Sequence, residues 1–368
     1  MRIAVDARLV GYVRGGTSQY TLRLVNALAA LRTGDELLVL ESLKPGMDAS
    51  WPASVRRVPL FTPPHHRLEQ LALPVELLRL GADLLHSPDF IPPFRRGCAS
   101  VITVHDLAFL RYPYLLTPES SRYYGQVARA VVSADQVIAV SHATRQDILE
   151  MLPADPEKVT VVHSAAGSQF VPLPPEEIEK KRRELGLPDR FVLFVGTLEP
   201  RKNLPVLLEA FAGIWRAHRV PLVVVGGKGW LYEEIFRARD RLGLTQEVCF
   251  AGPVPADQLL YYYNSATCLV MPSLYEGFGM PVLEAMACGI PVVVSDVSSL
   301  PEVVGDAGIR VAPENPEAWE AALVQLIGDS EMRADLGARG LRRAGGFSWE
   351  KTAVETLSVY HRAVKGHQ

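Results

Sequence analysis

Cys268-Leu269-Val270-Met271-Pro272-Ser273-Leu274-Tyr275-Glu276-Gly277-Phe278-Gly279-Met280-Pro281-Val282-Leu283-Glu284-Ala285-Met286-Ala287-Cys288-Gly289 runs from a short apolar segment, through a glycine-bearing loop, into a helix-forming stretch. The apolar run predicts a strand ending at Met271. Pro281 suits the first helical turn, because its missing N–H is not needed there, and Gly289 suits the C-terminal stop. Gly277 and Gly279 let backbone amides approach a ligand, and a helix N-terminus favours negative charge beside it. The same segment places Glu276 on the loop and Glu284 early in the helix, facing one crevice. Two carboxylates beside an anion site make sense when they accept hydrogen bonds from hydroxyls, which sugars supply. The plain alternative is a Gly-Pro loop carrying two solvated glutamates.

Similar apolar runs recur on both sides of this segment. They are Ile3–Val5, Leu37–Leu40, Leu84–His86, Val101–Val104, Val137–Val140 and Thr160–Val162, then Phe191–Val195, Leu222–Val225, Val248–Phe250, Cys268–Met271, Val292–Val294 and Gly308–Val311. Short, β-branched runs alternating with helix-length amphipathic stretches predict parallel strands buried on both faces. Six in each half predict two doubly wound α/β domains. Val171-Pro172-Leu173-Pro174-Pro175 resists regular structure and marks the boundary. The expected domains are 1–170 and 171–347, with a terminal helix over about 348–368 that has no strand after it and is free to pack anywhere, the first domain included.

Ligands of open α/β sheets sit beyond the carboxyl ends of the strands, so the loops there are where chemistry is sought. After the first strand of the second half stands Gly196-Thr197-Leu198-Glu199-Pro200-Arg201-Lys202-Asn203-Leu204-Pro205. With Asn203 as N-cap and Pro205 in the first turn, Arg201 and Lys202 stand just before a helix start. Two cations and free amides there suit a diphosphate, although Arg-Lys pairs are also common on solvated loops. Val104-His105-Asp106 ends a strand of the first half, where His105 is placed to donate to a sugar hydroxyl or phosphate oxygen. Asp106 either orients that ring or caps the next segment. His86 receives no role. Gly15-Gly16 precedes a helix from about Thr17 to Leu31 without the full GxGxxG fingerprint, and Gly226-Gly227-Lys228-Gly229 lacks the P-loop ending and reads as a flexible turn with a solvated lysine.

Composition narrows the class. The 368 residues are 48% hydrophobic and 21% charged with net charge −3, which gives no basic excess for nucleic acid. No run of about 18 apolar residues occurs, and the N-terminus reads as a strand rather than a signal peptide, so a cytoplasmic location is expected. Contact with a membrane surface stays open. The four cysteines form no CxxC pair; three lie in or beside apolar runs and read as buried free thiols. No DxD triplet, HExxH or GxSxG occurs, so no metal site and no cofactor are expected, and Arg201 and Lys202 take over the neutralisation a divalent ion performs elsewhere.

Together these segments resemble the retaining GT-B glycosyltransferases of family 4 (group 1) over nearly the whole chain. The most specific parts are the EX7E pair, Glu276 and Glu284, within PSLYEGFGMPVLEAMACGIPVVVSD, and FVGTLEPRKNLPVLLEAFA. The resemblance implies two Rossmann-like domains facing across an interdomain cleft. It implies that Glu276 contacts the donor sugar, Glu284 the nucleotide ribose, and Arg201 with Lys202 the diphosphate. Gly279 and Met280 offer amides, Gly252 and Val254 meet the base, and Gly196 and Phe278 complete the donor set. In the first domain His105 matches the histidine near the sugar and Gly15-Gly16 the loop near the phosphates. The family's Asn-Gly turn is replaced by His163-Ser164-Ala165-Ala166-Gly167, which puts any role of that loop in doubt. GGTSQYTLRLVNAL with VHDLAFLRYP looks most like bacterial mannosyltransferases of surface polysaccharides. The expectation is metal-independent, same-face transfer of mannose from GDP-mannose to a saccharide or lipid-linked saccharide. The acceptor is expected on first-domain loops carrying Tyr12, Arg14, Phe61–Arg67 and Phe109–Tyr114. The alternatives are a sugar phosphorylase or nucleotide-sugar isomerase on the same fold, and a non-catalytic nucleotide-sugar sensor.

Overall fold

The computed structural model describes residues 1–12, 15–43, 50–115 and 118–367; Arg14 lies outside them. The chain divides into two compact units, Met1–Ser164 with Ser348–Gln368, and Ala165–Phe347.

In the first unit, β1 (Arg2–Asp6), β2 (Glu36–Ser42), β3 (Arg56–Leu60), β4 (Leu84–Ser87), β5 (Ala99–Val104), β6 (Gln136–Ala139) and β7 (Val159–Val161) form one sheet in the order β3-β2-β1-β4-β5-β6-β7. Every pairing is parallel. β4 and β5 are buried throughout, as strands covered on both faces by helices must be. The sequence reading missed β3. Its Arg56-Arg57-Val58-Pro59-Leu60 has too little apolar content to announce a strand, and it survives because it lies at the sheet edge, where proline costs no ladder bond.

The terminal helix Trp349–His367 belongs to this first unit. It buries Thr352, Ala353, Thr356, Val359, Tyr360 and Ala363, a single face at helical spacing, against the helix Gly16–Leu31 and strands β4 to β6. Thr352 Oγ1 donates to the His163 carbonyl at 2.7 Å, and the Tyr360 hydroxyl lies 2.7 Å from His86 Nδ1. His86 in turn meets Thr103 Oγ1 at 2.8 Å. Burial pushes the His86 imidazole down to about 3, so it is a neutral core histidine.

In the second unit, β8 (Val192–Val195), β9 (Leu222–Val225), β10 (Val248–Gly252), β11 (Cys268–Met271), β12 (Val292–Ser295) and β13 (Ile309–Val311) form a parallel sheet in the order β10-β9-β8-β11-β12-β13. The helix Leu204–His218 buries Leu204, Leu207, Leu208, Phe211 and Ile214 and packs against the helices Pro316–Gly328 and Glu233–Arg241; each large apolar side chain removed from water contributes roughly 1.5–3 kcal/mol. All four cysteines are free, but the expectation of three buried thiols is corrected: Cys268 and Cys288 are buried, Cys98 is half-buried and Cys249 is exposed. Cys249 sits on β10, an edge strand whose alternate residues face outward.

Both sheets reverse strand order between their first strand and a neighbour, β1 beside β4 and β8 beside β11. The crevice at such a switch point is where an open sheet binds its ligand.

Candidate functional site

At the switch point of the second unit, the loop after β8 carries Arg201 and Lys202, and the loop after β11 carries Glu276. The strands are adjacent, so residues 74 and 75 positions apart meet. Lys202 Nζ lies 2.5 Å from Glu276 Oε1, and Arg201 Nη1 lies 3.3 Å from Oε2 of the same carboxylate. Arg201 Nε also pairs with Glu199 at 2.6 Å and Nη1 donates to the Tyr275 carbonyl at 3.1 Å. Ser273 Oγ donates to Glu276 Oε1 at 2.7 Å. The Glu276 carbonyl accepts from Ser298 and Ser299, at 2.5 and 2.9 Å, which pins the loop to the segment after β12.

This is a neutral quartet of two cations and two carboxylates, with Lys202 only 6% exposed and Glu276 only 7%. Burial alone would raise the Glu276 carboxyl, but the charges of Lys202 and Arg201 and the hydroxyl of Ser273 overcome it and hold the group at about 2. The lysine is shifted down, first by burial and then by Arg201, against the pull of Glu276. The carboxylate therefore gains from the pairing, while the ammonium is retained at a cost and is a strong donor to added negative charge.

Glu284, on the helix Met280–Ala287, is 8% exposed and accepts from the Tyr263 hydroxyl at 2.9 Å. The alternative of two solvated glutamates is thus excluded. Gly279 starts that helix at φ 96°, and an added Cβ would meet Leu300 at 2.8 Å, so glycine is required here. Phe278 is buried against Phe347, and Met280 is half-buried. Asn203 is corrected as a capping side chain. It occupies the N-cap position in a left-handed conformation and donates instead to the Pro313 carbonyl at 2.7 Å, leaving the first amides of the Leu204–His218 helix without a side-chain cap.

Gly196 opens the loop after β8 and Gly252 closes β10. Gly226, at φ 149°, packs so tightly on the Gly196 carbonyl that a Cβ would sit 1.9 Å away. The Gly196 amide donates to the Val225 carbonyl, the Leu198 amide donates to the Gly227 carbonyl, and the Leu198 carbonyl accepts from the Gly229 amide. The 226–229 turn is therefore tied down rather than flexible, although Lys228 is exposed as expected, over the Tyr232 ring at 4.8 Å. Val254 is half-buried beyond β10.

In the first unit, His105 follows β5, half-buried and edge-on to Tyr20 at 4.7 Å. Its Nε2 faces the Pro88 carbonyl at 3.0 Å, an acceptor only, so Nε2 carries the proton. Burial lowers its pKa. The expected donation to a ligand is thereby revised: the neutral ring presents Nδ1, an acceptor. Asp106 caps the next turn by accepting from Ala108 N at 3.0 Å. Gly15 and Gly16 begin the helix Gly16–Leu31 with open space beside Gly16. Sequence reasoning missed Glu199, Ser273 and Tyr263; only Ser273, three residues before Glu276 in the same loop, carried a local signal.

Two parallel doubly wound sheets, with cations and a buried carboxylate at the second switch point, define a two-unit α/β protein of the GT-B kind. Sucrose-phosphate synthase from Thermosynechococcus elongatus shares that fold, with a TM-score of 0.81 at 23% identity over 98% of both chains. The family model described as glycosyl transferases group 1 matches residues 176–343, and that of glycosyltransferase family 4 matches residues 14–166. The O-antigen chain mannosyltransferase B of Escherichia coli is 31% identical over 379 residues, covering 98% of this chain and 99% of the relative. A D-inositol 3-phosphate glycosyltransferase of Segniliparus rotundus is 34% identical over 283 residues, covering 74% and 63%. The chain belongs to the group 1, family 4 glycosyltransferases.

Proposed function

We propose that this enzyme is a retaining mannosyltransferase that moves mannose from GDP-mannose to a hydroxyl of a saccharide or lipid-linked saccharide in polysaccharide or glycolipid synthesis. The observation that carries this reading is the buried Arg201–Lys202–Glu276 cluster at the second switch point; the sugar is suggested by the mannosyltransferase relative. The second unit holds the donor and the first unit the acceptor.

Breaking the bond from the anomeric carbon to the diphosphate leaves negative charge on the departing oxygen. Arg201, Lys202 and the amides at Gly279 and Met280 stabilise it without a metal ion, the cations keeping their present carboxylate partners. Glu284 takes the ribose, Gly252 and Val254 the base, and Gly196 and Phe278 line the donor. Glu276 is a poor nucleophile, because both its oxygens are engaged by cations. The acceptor oxygen therefore attacks from the face the diphosphate leaves. A new bond to the anomeric carbon replaces the old one, and the acceptor proton passes to the diphosphate. A glycosyl adduct trapped on any side chain would contradict this.

His105 orients a donor-sugar hydroxyl by accepting from it at Nδ1, with Gly15 and Gly16 near the phosphates. His105→Asn, whose amide can both donate to Pro88 and accept, is expected to keep about tenfold more kcat/KM than His105→Ala, in the range of one good hydrogen bond. The ring is neutral at working pH, so loss of activity on raising pH from 7 to 8 should be the same in both variants and in wild type.

A thermal-shift screen of GDP-, UDP- and ADP-sugars tests the donor. At a hundredfold excess over Kd, GDP-mannose should stabilise by about 2.7 kcal/mol and raise Tm by about 5 °C or more. No shift with any nucleotide sugar would refute the reading.

Among the described residues no helix is long and apolar enough to cross a membrane. Peripheral contact is favoured by an exposed stripe, Leu68, Leu71, Val75 and Leu78 on one helix face, beside Phe61 at 82% exposure and the exposed Arg67 and Arg79. Leu71→Asp with Val75→Asp should abolish cosedimentation with anionic vesicles while leaving Tm unchanged; undiminished pelleting would remove this face from the account.

A further inference from the structure

At the amino ends of β1 and β2, on the opposite rim of the first sheet from its ligand loops, the helix Gly16–Leu31 stops beside a cleft of about 300 Å³. Ile3, Leu28 and Leu37, members of the buried apolar cluster of this unit, form its floor, and Leu357 of the terminal helix forms a wall. Folded interiors are close-packed, so a gap of this size is not ordinary slack; it stands at the lower end of small-molecule sites. Arg32, Thr33, Asp35 and Ser54 ring the mouth. Asp35 is already engaged: its Oδ1 accepts from the Met1 amino group at 2.7 Å and its Oδ2 from Thr33 Oγ1 at 2.6 Å. Arg32 is exposed, and among the described residues its guanidinium has no hydrogen bond, ion pair or aromatic ring beside it. It also holds a left-handed backbone at φ 49°, a conformation that suits glycine at the end of a helix and strains arginine. Arg219 ends the helix Leu204–His218 in the same way, at φ 54°, but lays its guanidinium over the Trp215 ring at 5.3 Å.

We propose that this cleft binds a free amphipathic monocarboxylate, its alkyl chain on Ile3, Leu28, Leu37 and Leu357 and its carboxylate on Arg32. The proposal stands apart from the transferase reading and involves neither switch point. Charge decides the head group. With Asp35 held by the Met1 amino group, Arg32 is the charge at the mouth that is left to a ligand. Its full positive charge outweighs the roughly half negative charge of the helix end beside it. A planar guanidinium takes a carboxylate through two parallel hydrogen bonds, and the Ser54 hydroxyl offers a further donor. An ammonium head would meet Arg32 as a like charge, and a wholly polar ligand would leave the apolar floor in water. At about 30 Å³ for each water-sized group, the cleft holds about ten such groups, which is an alkyl chain of about eight carbons with its carboxylate.

Equilibrium dialysis of the full chain against radiolabelled octanoate, octanol and octylammonium, each below its micellar concentration, keeps the alkyl chain constant and varies only the head group. Octanoate should bind about fivefold or more tighter than octanol, the worth of an ion pair open to water on one side. Octylammonium should bind more weakly than octanol. Arg32→Gly should bring octanoate down to the octanol level with Tm unchanged or higher, since glycine fits the left-handed position; loss of binding is then not loss of fold. Ala29→Phe, which adds bulk to the cleft from a half-buried helix position, should weaken octanoate and octanol alike. The proposal is overturned if octanoate does not bind, if octanol or octylammonium binds as tightly, or if both variants fold and bind octanoate as wild type does. Absence of transfer from every nucleotide sugar would instead defeat the transferase reading, and the dialysis result would still decide the cleft.

Discussion

Replacing Arg201 and Lys202 together by alanine is expected to lower turnover by about three orders of magnitude or more. Each is a preorganised donor in a water-poor site, and removing one donor to a developing oxyanion typically costs roughly 10²–10³ in rate. The same double change strands Glu276 and Glu199 without their cations, and losing one side of a buried ion pair costs about 3–5 kcal/mol. The two effects are separable: kcat is compared at a temperature where circular dichroism shows both proteins folded. Lys202→Arg should not rescue fully, because a planar fork does not replace a compact ammonium in a site this enclosed. Near-normal turnover in the folded double variant would remove the pair from the diphosphate site.

Glu276→Gln is expected to reduce both transfer and stability, with a pH signature. The carboxyl is held at about 2 in the folded chain against an ordinary 4.5. A depressed folded-state pKa contributes stability that is fully present above about 4.5 and is lost as pH falls through about 2. The difference of 2.5 units corresponds to about 3 kcal/mol at neutral pH, offset in part by the desolvated Lys202. In urea unfolding, the gap between wild type and variant should therefore narrow from about 3 kcal/mol at pH 7 to under about 1 kcal/mol at pH 2. A gap independent of pH would mean that the carboxylate charge is not what Lys202 and Arg201 hold. Donor-sugar transfer should fall by about two orders of magnitude, with nucleotide affinity less affected; equal losses in both would count against Glu276 as the sugar contact.

The architecture was legible because fully buried parallel strands write themselves as unbroken apolar runs. Twelve runs were read and, among the described residues, thirteen strands form, the exception being the polar edge strand Arg56–Leu60. The switch-point logic also placed Arg201, Lys202 and Glu276 in loops that do converge. What could not be read was partnership. Nothing local says that Glu199 binds Arg201, that Tyr263 reaches Glu284, or that Asn203 turns away to Pro313, because each depends on how distant loops settle. The ring of His105 illustrates the same limit: its position was legible, but its tautomer is set by the Pro88 carbonyl, 17 residues away. Asp6 and Arg8 at the end of the first strand were passed over, since an acid and a base two residues apart read as an ordinary surface pair until Glu69 also pairs with the buried Arg8.

The most direct test of the central claim is a crystal structure with the nucleoside diphosphate bound. The diphosphate oxygens should lie within hydrogen-bonding distance of Arg201 and Lys202, near the Gly279–Met280 amides, with no metal ion between them. A diphosphate found elsewhere on the second unit, or bridged to the protein through a divalent ion, would contradict it.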